Sequence, residues 1–141
     1  MSEQDAVRYP SYEFLIELHL HLMCDTWHET FYGPTRPELL QSALFRPRFA
    51  SYYESADGIR QAAYLFHGVL MNHGFAQGNK RTAYAITEWF LWENHLGTIK
   101  AGDNEIVTMC YAAENEKWSV NQVEAWIRQN ITAPCIDDEA S

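Results

Sequence analysis

Cysteine is scarce in this chain. Cys24, Cys110 and Cys135 are odd in number, far apart and without a Cys-x-x-Cys pair, which excludes a disulfide scaffold and a zinc-ribbon site. Reduced thiols in a reducing compartment are expected. Cations are also few: 10 Lys and Arg stand against 19 Asp and Glu, for a formal charge of −9. Nucleic-acid affinity rests on clustered cations that displace counterions from phosphates, so direct nucleic-acid binding is not expected. No apolar run approaches the roughly 20 residues a bilayer-crossing helix needs. The opening "MSEQDAVRYP" has no apolar leader segment, and the expectation is a cytoplasmic protein without a membrane partner. Sustained strand-type alternation, internal repeats and low-complexity tracts are missing as well, which excludes β-rich and solenoid architectures.

What remains is 141 residues with 47% hydrophobic and 14% aromatic content, enough for one packed core. The expected organisation is a single domain over residues 1–141, with its core at about 10–131 and a loose acidic tail in "TAPCIDDEAS". Ser11 caps a first helix whose Phe14, Leu15, Leu18 and Leu22 share a face. Thr35 and Glu38 form a capping box around Pro37, ahead of Leu39, Leu40, Ala43 and Leu44. "FRPRFASYYESADG" has four aromatics and no clear period, which predicts an ordered loop or flap over 45–56. From Asp57, the stripe Ile59, Ala62, Phe66, Val69, Leu70 ends at His73. "KRTAYAITEWFLWENH" is apolar on nearly every side, as a central helix would be. Asp103 is expected to cap a helix carrying Ile106, Val107, Cys110 and Ala113. Ser119 and Gln122 cap the last, with Trp118 against Val123 and with Trp126 and Ile127 on its apolar face. The fold class is therefore an all-α bundle around the helix at 79–95.

One stretch carries chemistry: "NHGFAQGNKRTA", residues 72–83. A helix ends at His73, a glycine-containing loop runs to Gly78, and another helix starts near Asn79. Unpaired first-turn N–H groups and the positive end of the macrodipole make such a start an anion site. Lys80 and Arg81 add charge. A histidine at the rim of a phosphate cradle suits phosphoryl or nucleotidyl transfer, which needs positioning, charge neutralisation and a base for a hydroxyl proton. Taken alone, His73 on an apolar stripe would be an ordinary core histidine; the adjoining loop makes it a candidate base. His19 and His21 diverge in direction, His28 beside Glu29 lacks a His-Glu-x-x-His spacing, and His67 reads as structural. None is a convincing metal ligand.

"HGFAQGNKRTA" resembles the Fic/Doc motif His-x-Phe-x-Asp/Glu-Gly/Ala-Asn-Lys/Gly-Arg, and "RPELLQSALFRP" upstream is similar to the death-on-curing branch. The resemblance implies a compact helical bundle that transfers part of a nucleoside triphosphate to a protein hydroxyl. It makes His73 the base, Phe75 the loop's anchor in the core, and Gly78, Asn79, Lys80 and Arg81 the phosphate-binding residues. It places a target-docking segment in the expected flap at 45–56. Adenylyl-transferring members have Gly where Lys80 stands and a second Arg where Tyr84 stands. The resemblance thus implies γ-phosphoryl transfer from ATP, with elongation factor Tu as the branch's target and a cognate antitoxin acting in trans. The family's self-inhibitory pattern, Ser/Thr-x-x-x-Glu-Gly/Asn, has its nearest counterpart in Cys110 to Asn115, which lacks the hydroxyl.

Gln77 departs from the motif. The acid at that position binds Mg²⁺, which prefers anionic oxygen. Three readings stay open: a weakened transferase, an altered nucleotide or metal preference, and a catalytically degenerate domain that only binds partners.

Overall fold

A computed structural model describes residues 6–26 and 33–134. His28, Glu29 and, of the expected loose tail at 132–141, residues 135–141 with Cys135 lie outside the described residues; Thr132 at the tail's start is not loose but paired with Thr98. The elements are α1 (Tyr12–Thr26), α2 (Pro37–Glu54), α3 (Gly58–Asn72), α4 (Asn79–Glu93), β1 (Thr98–Ile99), α5 (Asp103–Asn115), α6 (Val120–Asn130) and β2 (Ile131–Thr132). The fold is all-α. Among the described residues a two-stranded antiparallel ribbon pairs Thr98 with Thr132 and Ile99 with Ile131, a feature too short to leave a period in the sequence. No helix among the described residues is long and apolar enough to cross a membrane.

The Ser11 cap forms as expected, its Oγ accepting from the Phe14 N–H at 3.0 Å. The Thr35 capping box does not. Arg36 precedes α2 without a side-chain cap, and the Thr35 hydroxyl instead donates to the Gly74 carbonyl at 3.1 Å. Pro37 still opens the helix, where its missing N–H costs nothing.

The expected flap at 45–56 is helix as far as Glu54. Leu40, Ala43, Leu44, Pro47 and Ala50 are its buried stripe. Beyond residue 44 only Pro47 and Ala50 carry the inner face, while Phe45, Phe49, Tyr52 and Tyr53 lie exposed along the outer one. Period detection fails when the large apolar side chains point outward. The helix ends at Ser55, left-handed at φ 56°, and the Ala56 N–H returns to the Ala50 carbonyl at 3.1 Å.

α3 is the central helix, rather than the one at 79–95. It packs against α2, α4 and α6 and buries Gln61, Ala62, Ala63, Leu65, Phe66, Gly68, Val69 and Leu70. Gly68 permits the close approach to α2, since a Cβ there would meet the Ala43 Cβ at 3.0 Å. α4 instead buries one face through Thr82, Ala83, Ile86, Thr87, Phe90 and Leu91 and leaves Trp92 67% exposed.

α5 follows Gly102, whose N–H donates to the Glu105 carboxylate at 2.8 Å; Asp103 is its first residue, not its cap. Val107, expected inside, is exposed, and Met109 takes the inner position with Cys110 and Ala113. The Ser119–Gln122 box ahead of α6 forms in both directions, at 3.2 and 2.9 Å. Where α2, α3 and α6 meet, Arg60 bonds Glu54 and Glu124, and Arg128 bonds Asp57 and Glu124.

Candidate functional site

The site is built where α3 stops and α4 starts. His73 terminates α3 in the left-handed region, at φ 50°, a conformation that costs a non-glycine residue roughly 1–2 kcal/mol. Its side chain is half exposed.

The loop that follows is held from several directions. The Gly74 carbonyl accepts from the Thr35 and Arg36 N–H groups at 2.8 and 3.1 Å, besides the Thr35 hydroxyl. A short bridge pairs Pro34 with Phe75, so residues 34–36 run beside the loop. Phe75 is 2% exposed, in keeping with an anchor. The Asn79 side chain clasps its backbone: Oδ1 accepts from the Phe75 N–H at 3.1 Å and Nδ2 donates to the Phe75 carbonyl at 2.8 Å.

From the other side, His19 on α1 is buried and lies flat on the Phe75 ring, with centroids 3.7 Å apart and planes at 5°. Its Nε2 is 2.8 Å from the Gln77 carbonyl. A carbonyl only accepts, so Nε2 carries the proton. Burial pushes the His19 pKa down and outweighs the opposing effect of that bond. Gly78 sits at φ 83°, and a Cβ there would meet the Met23 sulfur at 2.6 Å. Only glycine satisfies both the dihedral and the space.

α4 opens with Asn79, Lys80 and Arg81, whose first-turn N–H groups lack intrahelical acceptors. These residues help line a cleft of about 400 Å³, together with Met23, Gln77, Gly78, Tyr84 and, from α5, Ile106, Val107, Cys110 and Tyr111. Arg81 is exposed at its edge. Lys80 Nζ lies 2.9 Å from Glu114 Oε1 and 4.6 Å above the Tyr111 ring. The other Glu114 oxygen is 3.8 Å from His73 Nδ1, within ion-pair range but too long for a hydrogen bond. His73 is not among the lining residues, and Glu114 links it to the cleft. Burial pushes the Cys110 thiol up to about 11, so it is protonated near neutral pH and is no nucleophile.

The structure thus brings Gln77, Gly78, Asn79, Lys80 and Arg81 to one cleft and sets His73 beside it. Four contributors were not singled out from the sequence as site residues: His19, Met23, Tyr111 and Glu114. His19 and Met23 are one helical turn apart and share a face of α1, and Glu114 belongs to the string set aside because Cys110 lacks a hydroxyl.

The donor set does not fit a resident Mg²⁺. Among the described residues no carboxylate lines the cleft, the Gln77 side chain offers a neutral amide, and Glu114 is committed to Lys80. No group of three or more His, Cys, Asp or Glu able to hold a metal occurs among the described residues.

A helical domain in which a histidine-terminated helix meets a glycine-led helix start across a clasped loop sets a candidate base beside a candidate anion site. A family model described as Fic/DOC family matches residues 9–91, more than half of the chain, and the chain belongs to that family. The match runs from before α1 to Leu91, two residues short of the end of α4, and includes the whole loop; α5, with Glu114, lies beyond it. No curated protein matches the chain.

Proposed function

We propose that this domain moves the γ-phosphoryl group of ATP onto a hydroxyl of a target protein. The observation that carries the proposal is the junction itself: a histidine held at the end of α3 beside first-turn amides, Lys80 and Arg81 at the start of α4. In the reaction, the phosphates lie on the α4 N-terminus, where amides and cations offset developing charge. His73 takes the hydroxyl proton as the oxygen attacks the γ-phosphorus. The bond from that phosphorus to the β–γ bridging oxygen breaks, and ADP leaves with the electron pair. The bonds that Asn79, His19 and Thr35 make to the loop keep it in place during this exchange. No step is routed through a divalent ion.

Phosphoryl transfer is favoured over adenylyl transfer by Lys80 and Tyr84. Tyr84 lines the cleft where a second phosphate-binding cation would be needed, and burial raises its pKa further above its ordinary value, keeping the phenol neutral. The proposal extends to a cytoplasmic setting, to elongation factor Tu as the first target to test, and to an antitoxin that acts in trans.

Incubation of the protein with elongation factor Tu, or with lysate, and either γ- or α-labelled ATP tests it. Label from the γ position on protein supports phosphoryl transfer, and label from the α position replaces it with adenylylation. No label, with ATP still bound, replaces it with a binding-only domain, for which Gln77 and the Lys80–Glu114 pair are the favouring observations. His73→Ala serves as the control and should lower transfer by about 10²- to 10⁴-fold, the usual worth of a general base.

A further inference from the structure

An anion site made of backbone amides works only if the carbonyl oxygens of the same loop point elsewhere, because each carbonyl left in the site repels the ligand that the amides attract. Three carbonyls of this loop are occupied. Gly74 is bonded by Thr35 and Arg36, Phe75 by Asn79, and Gln77 by His19 at 2.8 Å. The first is satisfied from the segment just before α2, and the second by Asn79 four residues on. The third is the closest to the α4 N-terminus, and its donor comes from α1, 58 residues away in sequence.

His19 is also fixed in its own right. It is 1% exposed, stacked on Phe75, and lies 3.3 Å from where a Cβ on Gly78 would sit. Its ring therefore has no freedom to follow a shifting loop. It is a rigid donor set against the residue just before the helix start.

We propose that His19 is a positioning residue of the phosphate site: its Nε2–H holds the Gln77 carbonyl inward, which turns the amides of residues 78–81 and the Gln77 side chain toward the cleft. The inference rests on the phosphate-binding reading of that cleft, and its test separates the two.

Two variants of the full chain divide the ring's roles. His19→Phe keeps a flat ring on Phe75 and loses the donor, whereas His19→Gln keeps an N–H donor and loses the stacking. Amide hydrogen exchange, followed by NMR without ligand, reads loop order at residues 76–81 against the interior of α4 at 86–91. With a net hydrogen bond worth about 0.5–1.5 kcal/mol, the loop amides in His19→Phe should exchange roughly 2- to 12-fold faster. The α4 interior should not change, and His19→Gln should recover most of the difference. ATP affinity by calorimetry should fall over the same range in His19→Phe and return in His19→Gln. In the wild-type chain, imidazole ¹⁵N shifts should report the Nε2–H tautomer.

An Nδ1–H tautomer overturns the proposal. So does loop exchange in His19→Phe equal to wild type, or His19→Gln as defective as His19→Phe, which would make the ring packing alone. If His19→Phe does not fold, loop exchange in His19→Gln decides: near wild type supports the proposal, and fast exchange rejects it. If wild-type protein binds no ATP, the nucleotide reading fails, while exchange and tautomer still judge His19.

Discussion

Replacing Glu114 by glutamine should tighten ATP binding. The carboxylate holds Lys80 at 2.9 Å with both side chains largely withdrawn from solvent, at 22% and 30% exposure. A phosphate arriving at the α4 N-terminus must share Lys80 with this anion and tolerate its charge. At a separation on the order of 6 Å and an effective dielectric of about 20, one unit of like charge costs about 3 kcal/mol. Partial exposure and salt reduce that to about 1–2 kcal/mol, or roughly 5- to 30-fold in affinity. Glutamine preserves the shape and removes the charge. Calorimetric titration of both proteins with ATP measures the difference, and the gain should shrink at high salt. Unchanged or weaker binding by Glu114→Gln, at wild-type thermal stability, would show that Lys80 is available to phosphate while still paired and would refute the competition.

Arg81→Ala should weaken ATP binding about tenfold, because a planar cation at a helix start is not replaced by the amides alone; calorimetry at matched salt measures this. Gln77→Asp places an anionic oxygen in a cleft whose lining has none, and should make ATP binding depend on Mg²⁺ where the wild type is indifferent to it. Asp57 adds an acid-dependent term to stability. Burial acts to raise its pKa but is outweighed by the Arg60 amide and by Arg128, so the net shift is downward. The stabilisation is therefore complete above the ordinary carboxylate range near pH 4 and is lost as pH falls through the lower folded value. Asp57 is 58% exposed and Arg128 44%, so the effect is under about 1 kcal/mol. Asp57→Asn, which keeps the helix cap, should flatten urea-midpoint profiles below about pH 4.

How much was legible in the sequence depended on whether the cause was local. The Ser11 and Ser119 caps, the end of α3 at His73 and the start of α4 beyond Gly78 follow from residues a few positions apart. Thr35 had the local pattern of a cap, but a carbonyl 39 residues away took its hydroxyl. The 45–54 half of α2 was hidden because Pro47 and Ala50 face inward and the aromatics outward. The abundance of tryptophan and phenylalanine in α4 pointed to the wrong central helix, since burial on all sides went to the smaller residues of α3. At the site, the loop was legible but its supports were not. His19 reaches Gln77 and Glu114 reaches Lys80 through the packing of α1 and α5, and no spacing encodes that.

Under the proposed mechanism, the left-handed backbone at His73 sets fold and chemistry against each other. Glycine, or to a lesser degree asparagine, would end α3 there with less strain, so histidine at this position costs roughly 1 kcal/mol of stability. A library randomised at position 73 and sorted only for resistance to heat or protease should drift toward glycine and asparagine. The same library sorted for transfer should return histidine. A chain that has stopped using the site is under the first pressure alone, so among relatives of this domain the residue at the end of α3 is a marker of whether the chemistry is still in service.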